Sequence, residues 1–281
     1  MSSQRTALIT GASSGFGLLT TITVAKRGWR VLATMRDLTR RTELEAAAQA
    51  AGVLERIEIH ALDVTDAGQI AGLAELVAAR NSQLDAVVNN AGFAMAGFAD
   101  DVSDAELRSQ FETNFFGAVA VTRAFLPQFR RQGAGHIVMV SSISGLMGFP
   151  GIGCYAASKF ALEGWSESLR FEMTPLGIQV VLVEPGSFET DIWTRGAIIS
   201  EGTLNAQSPN AFRIARWRAK LDSGKPKANP QVVADGIAAI LENPRPKLRY
   251  VYGKDAKMGL WLRRLLPFGL FERVLFLQRE M

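Results

Sequence analysis

Short apolar runs alternate along the chain with longer stretches in which apolar positions recur every three or four residues. The short runs lie at residues 7–10, 30–35, 57–61, 86–89, 136–141, 179–184 and 249–252. They carry few polar interruptions, as strands covered on both faces do. Residues 15–28, 38–51, 67–79, 104–131, 154–173 and 230–242 show the helical period. Strand and helix alternating in this way predict an α/β protein: a single doubly wound, Rossmann-like domain with a central parallel sheet of about seven strands flanked by helices. In such a sheet the ligand crevice opens at the carboxyl ends of the strands.

Two stretches break the rhythm. Residues 187–229 show little strand signal, and a connection that long predicts a helical substrate lid within a catalytic domain spanning 1–257. Residues 258–281 form a strongly apolar tail interrupted by Arg263, Arg264, Pro267, Glu272 and Arg273, which makes a poor membrane-spanning helix. The tail reads as an amphipathic cover over the substrate site or a partner surface, with peripheral membrane contact as the second reading.

Composition narrows the classes. Of 281 residues, 48% are hydrophobic and 21% charged, enough to bury a large core. A net charge of +4 with scattered basic residues argues against nucleic-acid binding, yet suits a polyanionic cofactor. The one cysteine, Cys154, forbids an internal disulfide, and two histidines with one cysteine are too few for the usual zinc sites, so no metal is expected. No signal peptide pattern opens the chain, and the expected location is cytoplasmic.

After the first strand run comes Thr10-Gly11-Ala12-Ser13-Ser14-Gly15-Phe16-Gly17, opening a helix. Glycines there permit a tight turn and let a pyrophosphate approach the helix N-terminus, where free N–H groups and the dipole favour anions. Farther on, Tyr155 and Lys159 lie four residues apart, on one face of a helix. A phenol normally ionises near pH 10, and lowering it by about 3 units needs roughly 4 kcal/mol, to which a nearby ammonium contributes. Ser142, thirteen residues before Tyr155 and at the end of a strand, is placed to hydrogen-bond a substrate oxygen.

The G-x-x-x-G-x-G spacing, Ser142, Tyr155-x-x-x-Lys159 and Pro185-Gly186 together resemble the short-chain dehydrogenase/reductase superfamily over about residues 6–190. The resemblance implies an oxidoreductase with a nicotinamide cofactor and the catalytic set Asn114, Ser142, Tyr155 and Lys159. Ser142 would orient the carbonyl, Tyr155 would be the general acid or base, and Lys159 would lower its pKa and bind the nicotinamide ribose. Asn114 would anchor a water linking the lysine to solvent. For the cofactor it implies Gly11, Ser13, Ser14, Gly15, Phe16 and Gly17 at the phosphates and Asp63-Val64 at the adenine. Asn90-Ala91-Gly92 would border the cofactor, with Pro185, Gly186, Phe188 and Thr190 near the nicotinamide. The family's habit of homodimers and homotetramers implies a homo-oligomer.

Two residues compete to set the cofactor form. Asp37 satisfies the spacing of an acidic residue for the ribose hydroxyls of NAD, about 20 positions after the glycine loop. Arg36, directly after the strand ending at Met35, suits a 2′-phosphate, so NADP(H) is expected. The tail, the lid and the segment Thr34-Met35-Arg36-Asp37 resemble the hydroxysteroid and retinol dehydrogenase branch. That implies a hydrophobic ketone, aldehyde or alcohol, with Ser144, Met147, Phe149 and Trp193 as substrate residues and Phe93, Met95 and Phe98 as further wall positions. A 3-oxoacyl-type reductase and a non-catalytic NADP(H) sensor are the alternatives. Cys154 reads as apolar filler, since no histidine is placed to activate it.

Overall fold

The computed structural model describes residues 4–80, 83–190, 192, 197–221 and 228–278; for 217, 218, 220, 221 and 274–278 only the backbone is described. β1 (Thr6–Thr10), α1 (Gly15–Lys26), β2 (Arg30–Met35), α2 (Arg41–Ala50), β3 (Ile57–Ala61), α3 (Ala67–Ala79) and β4 (Ala86–Asn89) form the first half. Then follow β5 (Ala94–Ala96), α4 (Asp104–Phe111), α5 (Ala118–Gln132), β6 (Gly135–Val140), α6 (Gly153–Met173) and β7 (Ile178–Pro185). The chain continues through β8 (Ala197–Ile199), α7 (Glu201–Leu204), α8 (Ala211–Leu221), α9 (Gln231–Glu242), β9 (Arg249–Tyr252), α10 (Lys254–Leu265) and α11 (Phe268–Gln278).

Seven strands make one parallel sheet in the order β3-β2-β1-β4-β6-β7-β9. The order reverses between β1 and β4, so their carboxyl ends frame the crevice. Side chains alternate across the sheet: Ala7 and Ile9 of β1 join one core with α1, α2 and α9, while Leu8 joins the other with α3, α5 and α6. All seven expected strands are therefore present; β1 and β4 are buried throughout, while the edge strands β3 and β9 are only partly covered.

Local departures have physical causes. The run at 38–51 starts with a 3-10 turn, Leu38–Arg40, capped by the Asp37 side chain, before α2 begins. The run at 104–131 is broken by a π-helical turn, Glu112–Gly117, a rare form found often at functional sites. Gly117 permits it, because a β-carbon there would lie 2.7 Å from Cγ2 of Val64. The 187–229 stretch is not strand-free, since β8 pairs in parallel with β5. Two three-residue strands leave too short a pattern to read in advance.

The tail is two helices broken at Pro267. Its inner face, with Leu260, Leu262, Leu266 and the buried Phe271, packs against Ile143 and Met147 after β6. Its outer face exposes Met258, Trp261, Leu265 and Phe268. Among the described residues, no helix is long and apolar enough to cross a membrane.

Candidate active site

The glycine loop is shaped by contacts that only glycine tolerates. Gly11 takes φ +68°, and a β-carbon on Gly17 would lie 2.2 Å from the Gly11 carbonyl oxygen. Behind the loop, Thr10 and Asn90 stitch β1 to β4. Asn90 Nδ2 donates to the carbonyls of Thr10 at 2.9 Å and Gly11 at 3.0 Å, and the N–H groups of Asn90 and Ala91 donate to Thr10 Oγ1. Ser14 precedes α1, whose first turn has no side-chain cap and no acidic residue. The loop is thus a cradle of small residues facing an open helix N-terminus, and a pyrophosphate fits it sterically and in charge. Ser13 and Ser14, both partly exposed, flank it.

Arg36 is exposed just past β2. Asp37 is occupied locally, its carboxylate accepting from the Thr39 N–H at 2.9 Å and hydroxyl at 2.7 Å, bonds that hold its pKa below the usual carboxylate range. Asp63 accepts from Thr65 in the same way, while Val64 is buried beneath the π turn.

Tyr155, on the first turn of α6, is only 3% exposed. Burial pushes its phenol up to about 12, against a hydrogen bond with the Ser142 side chain that pulls it down. Lys159 is buried beside it, with Nζ 5.9 Å from the tyrosine ring centroid and donating to the Val140 carbonyl at 2.8 Å. Burial lowers this lysine to about 8, opposed by the Glu163 carboxylate. The influences on the phenol are burial and the Ser142 hydrogen bond, while the Lys159 ammonium is engaged with Val140. Ser142 Oγ also accepts from the N–H of buried Ser144 at 3.1 Å, which fixes the turn after β6.

Asn114 lies in the π turn, 1% exposed. Its Oδ1 accepts from the Phe93 N–H at 3.0 Å and its Nδ2 donates to the Phe93 carbonyl at 2.9 Å, with Ser158 Oγ at 3.3 Å. Gly92 is held small by the same side chain, since a β-carbon would lie 3.0 Å from Asn114 Oδ1.

After β7, Phe188 stacks edge-on against Phe16 at 5.7 Å between centroids, and Thr190 lies against Gly15. Asp255 on α10 accepts from the Ser187 N–H at 2.8 Å and would collide with a side chain at Gly186. Sequence reasoning missed Asp255, because nothing local announces that the first turn of α10 anchors the loop after β7.

A cleft of about 540 Å³, including its open mouth, gathers Phe16, Asn90, Gly92, Ser142, Tyr155, Lys159, Pro185, Gly186, Phe188 and Thr190. Phe93, Val140, Ser141 and Ile192 line it as well. An apolar cluster of Phe98, Phe149, Ile152 and Ile214 packs around Tyr155, outside the cleft lining. Of the expected substrate residues, Phe149 joins this cluster, Met147 is buried against the tail, Ser144 is buried next to Ser142, and Trp193 lies outside the described residues. Met95 is buried away from the cleft lining, its N–H donating to Gln110. Burial pushes the Cys154 thiol up, away from nucleophilic use.

Comparison with known proteins agrees with this geometry. Residues 5–197 match the family model described as short chain dehydrogenase. "Uncharacterized oxidoreductase YusZ" of Bacillus subtilis is 42% identical over 278 residues, covering 97% of each chain. Human "retinol dehydrogenase 8" is 37% identical over 254 residues, covering 87% of this chain and 80% of the relative. A short-chain dehydrogenase from Streptomyces avermitilis superposes with a TM-score of 0.81 at 36% identity, over 93% of both chains. A metagenomic short-chain oxidoreductase in complex with NADP gives 0.69 at 25% identity, over 88% of this chain and 95% of that one.

Proposed function

We propose that this chain, which belongs to the short-chain dehydrogenase family, interconverts a bulky hydrophobic ketone or aldehyde and its alcohol with NADP(H). The observation that carries the proposal is Tyr155, buried in the cleft between the Ser142 hydroxyl and Lys159, with an apolar cluster packed around it.

The glycine loop from Gly11 to Gly17, with Ser13, Ser14 and Phe16, would hold the pyrophosphate, and Arg36 the 2′-phosphate. Asp63 and Val64 would border the adenine, and Asn90, Ala91 and Gly92 the middle of the cofactor. Pro185, Gly186, Phe188 and Thr190 would flank the nicotinamide, and Lys159 its ribose. When bound, NADPH supplies the hydride. Ser142 donates its hydroxyl hydrogen to the substrate oxygen, and Tyr155 passes its phenolic proton to the same oxygen as charge develops there. Lys159 then steadies the phenolate until it is reprotonated. Because the phenol holds its proton well above neutrality, Tyr155 acts as an acid first, and the reverse reaction gains as pH rises.

Phe98, Phe149 and Ile214 around Tyr155 support an apolar substrate of the steroid, retinoid or bulky-ketone kind. We assign residues 1–257 to the catalytic domain, with 187–229 its lid, and 258–281 to a tail that covers the substrate loop. Exposed apolar side chains on its outer face, beside Arg264, support contact with a partner or a membrane surface. Phe116, Phe160 and Phe171, exposed on the central helices, support a homo-oligomer. The test is NADPH oxidation against steroid, retinoid, aromatic and acyl ketones. Turnover is expected on the bulky apolar members; tight NADPH binding with no turnover on any would instead indicate a sensor.

A further inference from the structure

Behind Lys159 lies a set of ionisable side chains that the proton step above does not touch. Glu163 follows the lysine by one turn of α6 and is 4% exposed; Glu184, near the end of β7, is 0% exposed. Arg249, at the start of β9, pairs with both. Its Nη1 meets Glu163 Oε2 and lies 3.1 Å from Glu184 Oε1, while Nη2 meets Glu167 at 2.6 Å. Gly145 closes this compartment on the cleft side: a β-carbon there would lie 2.9 Å from Glu163 Cγ and from Ser141 Oγ. The compartment therefore sits directly behind the loop that carries Ser142.

Among the described residues, three polar atoms in it, Glu163 Oε1, Glu184 Oε2 and Ser141 Oγ, are buried and find no donor or acceptor of the opposite kind in place. Yet the two carboxyl groups lie within bonding reach of each other, and Ser141 within reach of Glu163. Two ionised carboxylates offer only acceptors, so they cannot bond; one proton between them supplies the donor. The charges agree. Lys159 and Arg249 are the cations facing the compartment, and Glu163, Glu167 and Glu184 the acids. One shared proton makes it neutral.

We propose that Glu163 and Glu184 share a single proton and that the negative charge left on the pair is the counter-ion that keeps Lys159 an ammonium beside Tyr155. Burial is the leading cause that raises both carboxyl groups, Glu184 to about 7, as a shared proton requires. Glu163 is thus a positioning residue for the proton-transfer pair. Its link to catalysis rests on the function proposed above, whereas the shared proton does not.

The test follows Lys159 directly, through the ε-carbon resonance of carbon-labelled lysine in the full chain, with no substrate needed. Glu163→Gln leaves the pair's charge on Glu184 and takes it from the acid that acts on Lys159, so it is expected to lower the Lys159 titration midpoint by about one unit, a tenfold loss of proton affinity, and Glu163→Asp to restore it. Glu184→Gln, whose amide replaces the shared proton as donor, is expected to leave the midpoint in place. An unchanged midpoint in folded Glu163→Gln overturns the proposal, even if ketone reduction is found. Should Glu163→Gln not fold, stability against pH decides. The folded pair keeps its proton to about pH 7 whereas unfolded carboxyls lose it near their ordinary value of 4.5, so wild-type stability falls as pH rises between them. Glu184→Gln is expected to flatten that fall, and parallel curves overturn the proposal.

Discussion

Asn114 holds the main chain of Phe93 at both ends, accepting from its N–H at 3.0 Å and donating to its carbonyl at 2.9 Å. The family resemblance implies an asparagine that anchors a water. In the structure both side-chain polar atoms are engaged with protein, and what they fix is the turn that brings Gly92 and Phe93 into the cleft. Asn114→Ala leaves the Phe93 N–H unpaired, while Gln110 still donates to the carbonyl at 2.9 Å. The expected loss is about 1–3 kcal/mol in denaturant unfolding, with weaker NADPH binding. Asn114→Asp keeps the acceptor but sets a carboxylate oxygen against the Phe93 carbonyl, and is expected to lose at least as much.

Cofactor choice is predicted to follow Arg36 and not Asp37, because the Asp37 carboxylate is committed to Thr39. Arg36→Ala should weaken NADPH about tenfold, roughly 1.4 kcal/mol, and leave NADH little changed. Asp37→Asn should change neither by a comparable amount. A Michaelis constant for NADPH that is the same in Arg36→Ala as in wild type removes the 2′-phosphate assignment.

Much of this was legible in the sequence for a definite reason. Strands buried on both faces, such as β1 and β4, read as unbroken apolar runs, and the glycine loop advertises its backbone demands. Tyr155, Lys159 and Ser142 could be placed together because each falls at the start of α6 or the end of β6, ends that the topology brings to one crevice. What could not be read depends on contacts distant in sequence. Asp255 reaches back to Ser187 across 68 positions, and Arg249 reaches Glu163 across 86. The π turn at Asn114 has no periodic signature, because it is set by Gly117 closing on Val64.

Lys159 illustrates a cost of the site to the fold. Burial lowers it to about 8 from its ordinary 10.5, so the folded state binds this proton more weakly than the unfolded chain. Below pH 8 both states are protonated and the folded one bears the whole penalty; between 8 and 10.5 that penalty is relieved, and stability rises with pH. The penalty is on the order of 3 kcal/mol, and losing the bond to Val140 offsets part of it. Lys159→Met removes this penalty but leaves the Glu163–Glu184 charge without its counter-ion, so it is expected to be no more stable than wild type at pH 7 while losing activity. A variant clearly more stable than wild type at pH 7 speaks against this reading.

The most direct measurement compares Tyr155→Phe with wild type for NADPH oxidation on the best ketone and for NADPH binding by fluorescence. Removing one buried hydroxyl takes away the proton donor and leaves the glycine loop, Arg36 and Lys159 in place. Turnover is expected to fall by about 10²–10⁴-fold with NADPH affinity nearly intact. Phenylalanine at 155 with wild-type turnover would show that the proton comes from elsewhere.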